Sequence, residues 1–110
     1  MRLITDKHVH AAFEWLEAHA NSAAKAKADR ILAEHAVKKT KARLFKDADG
    51  SVGFRDAYAD AHEDTQKAVD ALAESVERDE WHRAHRAKAE AIIEAWRTEQ
   101  SNFRAMGKVG

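Results

Sequence analysis

Seven histidines among 110 residues make metal binding the first chemistry to weigh. His82 and His85 are three apart and Asp79 precedes His82 by three, so on a helix all three share a face. A carboxylate-bridged two-metal centre needs paired Glu-x-x-His motifs on separate helices. Only the aspartate version occurs here, and once. His8 and His10, two apart, point in different directions on a helix. Glu14-x-x-Glu17 and Glu74-x-x-Glu77 resemble the magnesium pairs of all-helical nucleotide pyrophosphatases, but no Glu-x-x-Asp follows the first at a suitable distance. Asp47-Ala48-Asp49-Gly50 opens like a calcium loop, yet the closing twelfth position is Tyr58 rather than Glu. Gly50-Ser51-Val52-Gly53 has no Gly-Lys-Ser/Thr after it, and Ser22, Ser51, Ser75 and Ser101 lack a nucleophile-elbow context. These patterns lead us to expect no catalytic, cofactor-binding or metal residues, and a protein that is not an enzyme.

The elements that would position any site are helical. The chain has no Pro, and its four Gly stand at 50, 53, 107 and 110, so both long segments lack the strongest helix breakers. The expected architecture is all-α: an antiparallel hairpin of long helices with an additional N-terminal helix, as a single domain over 1–110. A first helix over about 6–20 is capped by Thr5 or Asp6 and carries Val9, Phe13, Leu16 and Ala20 on one face. Asn21-Ser22 offers a bend. A second helix runs over about 22–46, with Ala24, Ala28, Ile31 or Leu32, Ala42 and Phe45 inward. A turn at 47–53, a short helix over about 54–61 and a long helix over about 64–106, stopped by Gly107, complete the chain.

Charge divides sharply at that turn. Residues 25–46 hold eight Lys/Arg against two Asp/Glu, a net of +6, while 47–80 hold eleven Asp/Glu against three Lys/Arg, a net of −8. Facing acidic and basic helices neutralise each other and fix antiparallel register. The competing reading makes Lys38, Lys39, Lys41, Arg43 and Lys46 a phosphate-binding cluster. A net charge of zero favours the first. A further basic group, Arg83, Arg86, Lys88, Arg97, Arg104 and Lys108, exceeds its neighbouring glutamates by three.

Length sets the packing problem. At 1.5 Å per residue, 25–46 spans about 33 Å and 64–106 about 64 Å, so the last helix outruns its partner. Val69, Leu72 and Val76 lie beside the basic helix. The remaining half, with Trp81, His85, Ile92, Trp96, Phe103 and Met106, needs cover from the first helix, a second copy, or both. The step of five from Val76 to Trp81 argues against a regular heptad seam. Trp81, Ile92, Trp96, Phe103, Arg97 and Arg104 are the expected contacts with a partner or a second copy, because aromatics and Arg concentrate binding energy at interfaces.

There is no cysteine, no apolar run approaches the roughly 20 residues that span a bilayer, and Met1 to Asp6 lack the apolar core of a secretory signal. A cytoplasmic protein is expected, with no membrane partner.

Three blocks carry a resemblance: Ala26-Lys27-Ala28-Asp29-Arg30; the turn from Lys46 to Arg55; and Ile93 to Met106, where Trp96-Arg97-Thr98-Glu99-Gln100 is most distinctive. In this order, across residues 24–106, they resemble small helical proteins encoded by tailed phages and prophages. Proteins of that group have no assigned activity and are encoded among genes for phage DNA recombination and replication, including single-strand annealing proteins. The resemblance implies a bacterial host cytoplasm, an accessory role in phage or host DNA metabolism and a protein partner there, and it transfers no catalytic residue. The expected protein is therefore a dimeric adaptor. The alternatives are direct binding of nucleic acid through the basic helix, or inhibition of a host enzyme.

Overall fold

The computed structural model describes residues 4–109; Met1, Arg2 and Leu3, read above for a leader, Gly110, and the side chains of Lys108 and Val109 lie outside the described residues. The described chain is all helix: α1 (Asp6–Asp47), α2 (Val52–Ala61) and α3 (Glu63–Val109). Two compact units form, one from Met1–Ala23 with Trp81–Gly110 and the other from Ala24–Glu80. Within each, α1 and α3 run antiparallel. Asp6 reaches Trp96 and Ser22 reaches His82 in the first unit; Arg30 reaches Glu80 and Arg43 reaches Asp64 in the second.

The hairpin stands, but three expectations need correction. The expected first and second helices are one element, so there is no additional N-terminal helix and no bend at Asn21-Ser22. Neither residue costs a helix as much as Gly or Pro does, and Ser22 Oγ donates to the His19 carbonyl at 3.2 Å without leaving the helix. Gly107 does not stop α3, which runs on to Val109. The third correction concerns phase. Ala24, Ala28, Ile31, Leu32 and Ala42 are exposed, as are Phe13 and Ala20 of the expected first face.

The inward positions follow a different rule. Along α1 the buried or half-buried residues include Val9, Ala12, Leu16, His19, Ala23 and Ala26, then Arg30, Ala33, Val37, Thr40 and Leu44. Along α3 they include Thr65, Ala68, Leu72, Ser75, Asp79 and His82, then Ala89, Ile93, Trp96 and Gln100. Steps of three and four alternate throughout α1. In α3 only Arg86, exposed, interrupts them. This is the 3.5-residue spacing of helices that interlock side chains, so a regular seam exists after all. It passes from Leu72 through Ser75, Asp79 and His82, not from Val76 to Trp81. Among the described residues no large side chain is fully buried. The seam mixes alanines and polar groups with larger apolar side chains such as Val9, Leu16, Leu44, Leu72 and Ile93.

Local chemistry fixes the ends. Thr5 Oγ1 accepts from His8 N at 3.3 Å and caps α1. Ser51 Oγ accepts from Phe54 N at 3.2 Å and caps α2. His62 alone separates α2 from α3; its Nδ1 accepts from Asp64 N at 3.0 Å. Thr65, buried, donates from Oγ1 to the Ala59 carbonyl at 2.6 Å and locks this corner. Arg55 donates from Nε to the Phe45 carbonyl at 2.9 Å, with its guanidinium 4.3 Å over the Phe45 ring, so α2 is tied back to α1.

The two turn glycines differ. Gly50 has φ +114°, and a Cβ there would stand 3.2 Å from the Phe54 ring; Gly50→Ala is expected to cost about 1–2 kcal/mol. Gly53 lies inside α2 with open space where a Cβ would go, so Gly53→Ala should add about 0.5–1 kcal/mol. Urea midpoints of the two variants, on opposite sides of the parent, check the assignment. A Gly50→Ala variant as stable as the parent contradicts it.

Candidate interaction site

In the first unit, Trp15 and His19 of α1 meet Trp81, His82 and His85 of α3. Trp15 stacks on His19 at 4.3 Å between ring centroids, and Trp81 on His85 at 4.0 Å. The stacks meet, with Trp15 5.8 Å from His85 and 6.2 Å from Trp81. His19 Nδ1 lies 2.9 Å from the Trp15 carbonyl and His85 Nδ1 lies 2.8 Å from the Trp81 carbonyl. A carbonyl only accepts, so each Nδ1 carries the proton and, in the neutral ring, Nε2 is left as acceptor. Beside the stacks opens a groove of about 230 Å³, floored by alanines, walled by Trp15 and Ile92 and rimmed by His8, His85 and Lys88. Its floor joins the small core of Ala12, Ala89 and Ile93, against which Leu16 also packs.

The expected contact residues divide between two places. Trp81, 46% exposed, belongs to the stacks and half-buried Ile92 to the groove. Trp96, Arg97 and Arg104 line a separate hollow with Gln100. There Trp96 is half-buried, and its Nε1 donates to Asp6 Oδ1 at 3.2 Å. Arg97 pairs with Glu94 at 3.1 Å, and Arg104, Phe103 and Met106 are exposed. The first helix does cover the aromatic half of α3, as one of the expected covers, and it leaves both places open. Sequence reasoning missed Trp15 and His19. The signal was present: Trp-x-x-Ala-His occurs twice, at 15–19 and at 81–85.

The acidic block answers three of the eight cations of the basic one, Arg30, Lys41 and Arg43. Lys41 pairs with Asp60 and Arg43 with Asp64, each at 3.1 Å. Arg30 donates to buried Asp79 at 3.1 Å and to Glu80 at 3.0 Å. The hydrogen bond from Arg43 holds the Asp64 carboxyl below its ordinary range, and those that Arg30 donates to Glu80 and then Asp79 raise Arg30 above its own. Lys38, Lys39 and Lys46 are exposed and make no ion pair among the described residues. The face of Asp79, His82 and His85 is not assembled around one point: Asp79 binds Arg30, His82 Nε2 lies 3.3 Å from Ser22 Oγ, and His85 folds onto Trp81. Among the described residues no three His, Cys, Asp or Glu side chains stand where they could hold a metal ion, and no helix is long and apolar enough to cross a membrane.

Comparison with protein-family models, with curated proteins and with solved structures finds no match for this chain.

Proposed function

We propose that this chain is a helical accessory protein that acts through protein–protein contacts, without chemistry of its own, in the DNA recombination or replication of a phage or its host. One observation carries the reading. The seam between the helices takes in only part of the large apolar side chains, Val9, Leu44 and Ile93 among them, while Phe13, Leu32, Phe54, Trp81 and Met106 are exposed. Apolar side chains gathered into one exposed patch, rather than scattered singly, mark a contact surface, and Trp81 stands 6.2 Å from Trp15 in such a group. For the partner we assign the hollow of Trp96, Arg97, Gln100 and Arg104, where an aromatic ring and two guanidinium groups supply the residue types that dominate binding energy. The setting in DNA metabolism rests on the resemblance of residues 24–106. A cytoplasmic place in a bacterial host follows from the same resemblance.

A second reading, direct contact with nucleic acid, is favoured by the unpaired Lys38, Lys39 and Lys46. One experiment separates the two. Tagged protein is used to capture partners from phage-infected lysate, with and without nuclease, beside an Arg97→Glu/Arg104→Glu variant of unchanged helix content. Capture that survives nuclease and falls at least tenfold in the variant supports the adaptor. Capture abolished by nuclease, with the variant unaffected, transfers the function to the lysines. No specific capture removes the proposal.

A further inference from the structure

We infer that the groove beside the Trp-His stacks is a binding site for a small aromatic acid, a flat apolar body of about two fused rings carrying one carboxylate. The inference goes beyond the adaptor reading and uses a surface which that reading does not.

Size and lining define the body of the ligand. The groove lies wholly within the first unit, between residues 8–15 of α1 and 85–92 of α3. Seven steps of 1.5 Å make it about 10 Å long. At one end the Trp15 and His85 rings stand 5.8 Å apart. Beyond the other, Glu99, seven residues past Ile92 on the same face of α3, accepts from the Ile4 amide at 3.3 Å. The space between suits a ring system rather than several turns of a partner helix. Ala12 and Ala89, each 5% exposed, seal its floor against the small core, and the Trp15 indole and Ile92 wall it. Aromatic and aliphatic walls with few polar groups are the usual lining of a small-molecule site. A cavity of about 150 Å³ takes up one benzene ring, so about 230 Å³ accommodates two fused rings.

Charge defines the head. No carboxylate lines the groove. Lys88 is exposed, has Ala84, His85, Ala91 and Ile92 at three and four residues to either side, and pairs with no acid among the described residues. His8 Nδ1 accepts from the Thr5 amide at 3.4 Å, so the neutral ring carries its proton on Nε2, a second donor at the rim. His85 Nδ1 is taken by the Trp81 carbonyl, which leaves Nε2 as the one acceptor. A carboxylate satisfies the ammonium and the imidazole donor together. A cationic ligand would meet Lys88 with like charge, and a neutral hydrocarbon would leave it unanswered.

NMR titration with indoleacetate, neutral tryptophol and cationic tryptamine tests body and head separately. Wild type should rank acid over alcohol over amine, with about a three- to fivefold step at each, the ratio that one ion pair near a surface gives. Lys88→Glu should reverse that order. Ala11→Trp, at an exposed position lining the groove, should fill it and weaken all three at least tenfold. Circular dichroism verifies the fold of both variants; should Ala11→Trp lose helix, the ranking in Lys88→Glu alone decides. The inference is overturned if the acid shows no saturable binding at millimolar concentration. It is also overturned by an order that Lys88→Glu leaves unchanged, or by an acid affinity that a folded Ala11→Trp retains. Light scattering on the same samples covers the other occupant. A wild-type mass above the 12.3 kDa of one chain, reduced to that value in Ala11→Trp, gives the groove to a second copy and overturns the small-acid assignment. The adaptor reading, tested at Arg97 and Arg104, stands or falls apart from all of these results.

Discussion

Ala26→Leu is expected to destabilise the protein by about 2–3 kcal/mol, although it adds an apolar side chain to a chain poor in them. Ala26 is 2% exposed and sits in the seam of α1 between Ala23 and Arg30. Where inward positions are alanine, opposing helices approach closely, and the separation of packed helices follows the side chains between them. A leucine at 26 must displace the facing backbone or adopt a poor rotamer. Ala28→Leu, two residues on and exposed, is the control, with an expected change within about 0.5 kcal/mol. Urea denaturation at one fixed protein concentration reads both, because association would otherwise enter the midpoint. Equal effects at 26 and 28 would refute the seam as assigned. The contrast is informative because apolarity alone ranks the two alanines identically.

That ambiguity explains how far the sequence could be read. The absence of Pro and the isolated Gly50–Gly53 turn made helices and hairpin legible, and the short helix after the turn was placed to within two residues. Phase was not legible, because apolar type alone does not separate an inward alanine from an outward one. Ile31, Leu32 and Phe13 point outward, whereas Arg30, Thr40, Ser75, Asp79 and His82 hold inward positions. Nothing in an isolated Asp or His announces that a partner across the helix pair will satisfy it. For the same reason apolar type alone leaves a gap along 72–75–79–82, and a break in α1 where its spacing is continuous. At the candidate site, Trp81 and Ile92 were found from their type and spacing on one helix. Trp15 and His19 needed the pairing of two distant segments, which the repeated Trp-x-x-Ala-His hinted at but did not establish.

The polar seam positions make the second large effect specific. Asp79→Ala is expected to cost about 2–3 kcal/mol, within the range for losing charged hydrogen bonds at a buried site. Asp79 is 3% exposed, and its Oδ2 accepts from Arg30 Nη1 at 3.1 Å. After truncation Arg30 keeps Glu80 at 3.0 Å and Glu34 at 3.4 Å, both on the wetter side. Its guanidinium therefore loses the one carboxylate that reaches it in the seam. Asp79→Asn retains an acceptor of the same shape and should lose less. The double change Arg30→Met/Asp79→Leu should recover most of the stability, since apolar groups of similar volume often replace a buried ion pair without loss. If Asp79→Ala costs less than about 1 kcal/mol, the pair contributes no more than a surface salt bridge. A recovered double variant with a changed assembly mass would instead assign the pair to specificity: at Ala-rich positions that many registers could satisfy, a single buried Arg–Asp contact admits only one.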